Sequence, residues 1–252
     1  MKTENKNFVD FVEKGKLDLR GYTLIEGFPG MGLVGTIGTK YLEEKLNFNE
    51  VGYLDSMVFV PIIRVHNGLP IHPSRIYVNK KRKLVLLISE QIVPQGFTDR
   101  MAKEIVKWVQ KKKIKRVISL SGIRALPNKE GKQVIYGIAS DEASKKMLKK
   151  YKVELIKEGI TSGITALIML GLKDNKIEAF SVMGNVNIAA DYKAAASILE
   201  KLSEMLSLNL DVKPLMKEAK ETEKALLEHL KQLKQTQKDT TKIEGNPVSM
   251  YS

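Results

Sequence analysis

From residue 20 to about residue 208 the chain alternates between two hydrophobic patterns. Short runs rich in aliphatic and β-branched residues predict strands. They are Tyr22 to Glu26, Val51 to Val60, Ile62 to Val65, Arg75 to Val78, Leu84 to Ser89, Val117 to Leu120, Val153 to Ile156 and Ala179 to Met183. Segments of helical spacing fall between them: from GFPGMGLVG to about Leu46, over 98–113 with apolar residues at 101, 105, 106 and 109, from Asp141 to about Tyr151, over 161–171 and over 191–207. Thr98 or Asp99 offers an N-cap for helix 98–113, and Asp141 offers one for the next. Helix 161–171 is apolar nearly all round, which predicts burial. Asn67-Gly68 and Pro70 mark a turn region, and Lys80–Lys83 reads as the turn of a hairpin. The alternation predicts a three-layer α/β/α sandwich around a mixed, largely parallel sheet.

The pattern changes after residue 210. From Lys213 to Gln237 apolar residues recur in 4–3 steps at Leu215, Ala219, weakly Thr222, Leu226, His229 or Leu230, and Leu233, with Glu and Lys between them. This predicts an amphipathic helix, either lying on its own domain or pairing with another chain. The last stretch, TQKDTTKIEGNPVSMYS, has no period and predicts a flexible tail. The expected organisation is an α/β domain over 1–210, a helix over 211–237 and a tail over 238–252.

Composition narrows the chemistry. The 252 residues are 43% hydrophobic, enough for a sizeable core. Cysteine is absent, which excludes disulfides, thiolate metal sites and thiol nucleophiles. His66, His72 and His229 stand at spacings that argue against a histidine zinc site. No apolar run approaches the roughly 20 residues of a membrane span. The opening MKTENKNFVDFVEKGK lacks a signal peptide's apolar centre, so a soluble cytoplasmic protein is expected. The net charge of +13 comes mainly from lysines clustered at 80–83, 111–116 and 145–152. Such clusters can follow phosphates, but these lack interleaved aromatics and contain few arginines. Nucleic-acid binding is therefore disfavoured against a solubilising surface.

Gly30-Met31-Gly32-Leu33-Val34-Gly35 is a literal GxGxxG between a strand and a helix, with Asp55 20 residues beyond Gly35. It admits an enzyme that handles a dinucleotide or nucleoside, the glycines letting backbone approach a pyrophosphate. Pro29 removes a donor where that loop needs one, and Asp55 sits inside an extended run. The favoured reading is close packing of the first helix on the sheet. Ser119, Ser121, Ser162 and Asp191 are the remaining candidates for nucleophilic or acid/base work. No GxSxG elbow accompanies them, and His66 and His72 merely flank a Gly-Pro-rich loop. No catalytic constellation, metal site or cofactor is expected.

The chain closes on Met250-Tyr251-Ser252. A penultimate tyrosine after a hydrophobe is an uncommon accident in a chain with 8 tyrosines among 252 residues. A terminal carboxylate, a tyrosine and a hydrophobe on a polar tether together suit a peptide-end ligand.

These motifs resemble the proteasome assembly chaperone family, archaeal and bacterial homologues of the second eukaryotic proteasome assembly chaperone. The resemblance runs through LIEGFPGMGLVGTIGTKYL at 24–42, IIRVHNGLPIHPSRIYV at 62–78, EGITSGITALIMLGL at 158–172, and Asp191 with Ala194 and Ala195. It covers about residues 17 to 218. It implies a fold similar to the phosphorylase/hydrolase class, no general catalytic activity, and a packing role for Gly27, Pro29, Gly32 and Gly35. Archaeal members end in hydrophobic-tyrosine-any residue, which Met250, Tyr251 and Ser252 match. The resemblance implies that these three insert between α subunits of the 20S proteasome, as assembly chaperone or gate-opening activator. It also implies a homo-oligomer, a tetramer or pentamer, and for some members a second family member as partner. No Walker A motif is present, so the action would be independent of ATP.

Overall fold

In the computed structural model, the described residues are 8–125 and 134–217, with the pairs 227–228 and 231–232. The first half runs β1 (Val9–Glu13), β2 (Thr23–Gly27), α1 (Val34–Lys45), β3 (Asn49–Ser56), β4 (Arg64–His66), β5 (Leu69–Ile71), β6 (Ser74–Asn79), β7 (Leu84–Ser89) and α2 (Thr98–Lys111). The second runs β8 (Arg116–Ile123), β9 (Ile135–Ala139), α3 (Glu142–Lys150), β10 (Glu154–Leu155), α4 (Ile164–Asp174), β11 (Glu178–Asn185), α5 (Tyr192–Leu206) and α6 (Lys213–Lys217).

Nine strands form one sheet in the order β1-β3-β6-β7-β2-β8-β11-β9-β10, while β4 and β5 pair as a separate hairpin. The pairs β7/β2, β2/β8 and β8/β11 are parallel and make the centre. Antiparallel pairing flanks them, through β1, β3 and β6 on one side and β9 on the other. The sheet is thus mixed, as the sequence pattern predicts. Ile25, Leu86, Ile88, Ile118, Leu120, Phe180 and Val182 face a core shared with α1, α3 and α5. Leu24, Val85, Leu87, Val117 and Ala179 face the opposite core, beneath α2 and α4. Both faces being covered, β7 reads as an unbroken apolar run; each such side chain contributes roughly 1.5–3 kcal/mol by burial.

Several local expectations are corrected. Helix α2 has Phe97 at its N-cap, without a side-chain capping bond, because a 3-10 turn at Gln95–Phe97 leads into it. The Thr98 hydroxyl instead donates to the Pro94 carbonyl. Asp141 caps α3 as expected, accepting from the Ser144 amide, and Asp191, a candidate for acid/base work, caps α5 by accepting from the Ala194 amide. Helix α4 begins at Ile164, after Gly163 with φ +91°, and its Leu170 is exposed. It packs mainly against α2, β8 and β11, and its outer side, with Leu170, faces outward. Strand β3 stops at Ser56, whose hydroxyl donates to the Phe8 carbonyl and whose own carbonyl accepts from Phe59. Only Lys213–Lys217 and the two pairs above represent the expected 213–237 helix. The rest of it and the whole 238–252 segment lie outside the described residues.

Candidate functional site

The glycines after β2 are filled by protein. A Cβ on Gly27 would stand 2.1 Å from the Gly35 carbonyl oxygen, and one on Gly35 2.4 Å from that of Leu120. Gly32 has φ +63°, and a Cβ there would lie 2.6 Å from Val186. Backbone approach is therefore used to seat α1 on β2 and β8, the packing role favoured from the sequence. Asp55 lies on β3, which β6 and β7 separate from β2, so it does not join this turn.

The serines do not form a nucleophile site. By strand alternation Glu26, Ser119, Ser121 and Ser181 all face the α2/α4 layer. Glu26 and Ser119 are adjacent in register and fully buried. Burial pushes the Glu26 carboxyl up to about 7, and the Ser119 hydroxyl beside it offsets only part of that rise. Ser121 and Ser181 hydroxyls lie 3.3 Å apart. The Asp191 carboxylate is taken up by the amides of Asn187 and Ala194. Ser162 and His66 are exposed, and His72 stacks on Tyr53 with ring centroids 3.4 Å apart. Among the described residues no three His, Asp or Glu side chains are grouped to hold a metal. Glu26 is the residue that sequence reasoning passed over; a lone acid within TLIEG was the available signal.

A different surface stands out at the carboxyl end of the central strands. There β3 passes to β6 through the β4–β5 hairpin, an arm that turns at Asn67 and Gly68, both at positive φ. The arm is anchored at its base. Arg64 of β4 pairs with the carboxylate of Glu90, which also faces Arg75 of β6 at 3.6 Å; Glu90 and Arg75 are 1% and 3% exposed. The Gln91 side-chain amide donates to the Val60 carbonyl at 3.1 Å. Lys40 of α1 is held below the ordinary lysine range, first by burial and then by the charge of Arg64.

Apolar side chains are exposed on both faces of the arm, Ile63 and Val65 on one and Leu69, opposite His66, on the other. Ile63, Val65 and Leu69 are 63%, 63% and 66% exposed, and Met57 at its root is 71% exposed. Met31, Phe97 and Ile188, from the loops after β2, β7 and β11, add exposed side chains at the same end. Single exposed hydrophobes need no explanation, but this many at one end of a sheet mark an interaction face. From the sequence only the turn was legible, because apolar residues on a protruding hairpin look the same as buried ones. Met250, Tyr251 and Ser252 lie outside the described residues, so the structure does not bring them to this face or any other.

Comparison with known proteins agrees with this architecture. A protein of Methanocaldococcus jannaschii described as uncharacterized is 32% identical over 234 residues, covering 91% of this chain and 95% of its own. The crystal structure of Pyrococcus furiosus PbaA, described as an archaeal homolog of proteasome-assembly chaperone, aligns with a TM-score of 0.81 at 28% identity, covering 91% of this chain and 99% of that one. Pyrococcus furiosus PbaB, described as an archaeal proteasome activator, shares the fold with a TM-score of 0.71 at 23% identity over 87% of this chain and 98% of its own. Residues 24–230 match the PAC2 family, a span that takes in the glycine turn, the arm and both cores, and the chain belongs to that family.

Proposed function

We propose that this protein is an ATP-independent, non-enzymatic proteasome-binding protein that docks Met250, Tyr251 and Ser252 into pockets between α subunits of the 20S particle. The observation that supports it most is the likeness to PbaA, at 28% identity over 91% of the chain. The terminal carboxylate supplies a charge that only a chain end offers, Tyr251 adds area and a hydroxyl, and Met250 fills an apolar subsite.

The apolar carboxyl end gives the chain a means of self-association, as a tetramer or pentamer in the cytoplasm. Its arm presents Ile63, Val65 and Leu69 on one protruding element. Several tails on one assembly engage several pockets, and effective concentration raises a weak single-tail affinity by orders of magnitude. In this organisation 1–210 is the body, 211–237 a connecting helix and 238–252 the tail.

Surface binding to purified archaeal 20S particles, with intact chain and chain lacking 250–252, tests the reading. Intact chain binds and truncated chain does not. Parallel peptide hydrolysis separates an activator, which accelerates it, from an assembly or docking factor, which leaves it unchanged. Equal binding by both forms overturns the role of the tail, and binding by neither overturns the reading.

A further inference from the structure

Across the α2/α4 face of the sheet one row of neighbouring positions is polar, while the core around it is apolar. Glu26 of β2 stands beside Ser119 of β8, and Ser119 beside Ser181 of β11. Leu87 of β7 and Ile138 of β9 close the row at its two sides. Ser121, two residues beyond Ser119, faces the same way, its hydroxyl 3.3 Å from that of Ser181. Glu26, Ser119 and Ser181 are buried, whereas Ser121, nearer the carboxyl end of its strand, is half-buried.

The protein leaves these oxygens poorly satisfied. Neither carboxyl oxygen of Glu26 has a hydrogen-bond partner among the described residues, and the Ser119 hydroxyl has none either. The Ser121 and Ser181 hydroxyls stand farther apart than the roughly 2.5–3.0 Å of a well-formed pair. Buried polar groups are normally paired, so unpaired oxygens on adjacent strands call for a partner from outside the chain.

The charge is equally unbalanced. The buried positions of α2 and α4, which cover this face, carry no ionisable side chain. Burial raises the Glu26 carboxyl to about 7, with the Ser119 hydroxyl opposing it and no neighbouring charge contributing. Only a proton or an ion from solution can therefore neutralise this group. A proton occupies one carboxyl oxygen and leaves the serines unused, while a cation draws on the lone pairs of carboxylate and hydroxyls together. Donors that are all oxygen suit a hard cation. One carboxylate balances a single charge, and among the described residues no three His, Asp or Glu side chains are grouped to hold a divalent metal.

We propose that Glu26, Ser119, Ser121 and Ser181 form a binding site for a monovalent alkali cation, sodium or potassium, which enters past Ser121. Proton and cation compete for the Glu26 carboxylate, so the site fills on the alkaline side and empties as the carboxyl takes up its proton. Glu26 adjoins Gly27, on which Gly35 of α1 is closely seated. Occupancy therefore ties the seating of α1 on the sheet to ionic conditions.

The test is urea unfolding of the full chain at pH 8 in choline, sodium and potassium chloride at one concentration. Choline is too large for the row, and its salt controls for screening and for chloride. The unfolding constant falls at least about tenfold when choline is replaced by the better alkali ion, as it does once that ion stands at about ten times its dissociation constant. At pH 5 Glu26 is protonated, and the three salts give the same stability. Glu26→Gln removes the ion specificity at pH 8, and Ser119→Ala with Ser181→Ala weakens it. Equal stability in the three salts at pH 8 overturns the proposal, as does an ion effect that Glu26→Gln leaves intact. The intact chain decides even where a variant fails to fold, because ion specificity that persists unchanged at pH 5 also overturns it.

Discussion

The two ends of the sheet are built from the same layers and present opposite surfaces. At the carboxyl end the connections are long, and one carries an apolar arm held down by Arg64, Glu90 and Arg75. At the amino end they are short turns whose projecting positions are lysine. Length explains the difference. A tight turn has room only for a few exposed side chains, and charge is what those can offer. A connection of 57–73 can form its own hairpin and lift hydrophobes away from the body. The body is the rigid spacer that keeps the two surfaces apart.

That contrast can be broken at the arm's anchor with the largest effect. Glu90→Ala leaves Arg75 buried without its carboxylate and costs about 3–5 kcal/mol, read by urea unfolding, with new proteolytic cleavage confined to 57–73. A cost under about 1 kcal/mol would mean that the arm is held by something else.

Glu26 gives the next effect. Its carboxyl stays protonated to about 7 in the fold against 4.5 for the unperturbed group, so the folded state binds the extra proton between those values. Stability from this group is therefore complete on the acid side and falls as pH rises from about 4.5 through about 7, by up to about 3 kcal/mol. In choline chloride Glu26→Gln removes that slope, raising the pH 8 melting temperature relative to the parent chain. Parallel stability profiles for the two proteins from pH 5 to pH 8 would contradict the burial argument.

The apolar end's outer side chains matter to association more than to folding. Val65→Ser with Leu69→Ser shifts unfolding by about 0.5 kcal/mol or less, yet sedimentation shows a smaller assembly. An unchanged assembly places self-association elsewhere. Smallest is Lys113→Asn, which relaxes a left-handed position and raises stability by a few tenths of a kcal/mol, roughly 0.5 at most. A loss of stability would show that the lysine stem packs at its turn.

The central strands were legible in sequence because burial on both faces writes itself as runs such as LVLLIS. Asp141 was legible as a cap for an equally local reason, a short acid ahead of a helical period, whereas Asp191, read as a candidate acid or base, turned out to be the cap of α5. Strands β1, at one edge of the sheet, and β9, beside the short edge strand β10, have five residues each and are only half-buried, and they carried no such run. The cap of α2 was misread because a 3-10 turn supplies the entry that Thr98 seemed to offer. The packing role of the glycine turn was legible from Pro29, although its partners, the carbonyl of Leu120 and the side chain of Val186, come from distant segments. The arm's exposure and the gathering of lysine-bearing turns at one end are products of topology, which periodicity does not encode. The 250–252 motif was readable only as sequence, since it lies outside the described residues.

The most direct measurement is a competition. Intact protein is bound to 20S particles and challenged with a synthetic peptide of residues 246–252, and separately with the same peptide carrying Tyr251→Ala. The account predicts that the native peptide displaces the protein, at concentrations far above the protein's own because it lacks the other tails, and that the Tyr251→Ala peptide does not. Displacement by neither peptide, with the protein still bound, would contradict docking through the C-terminus.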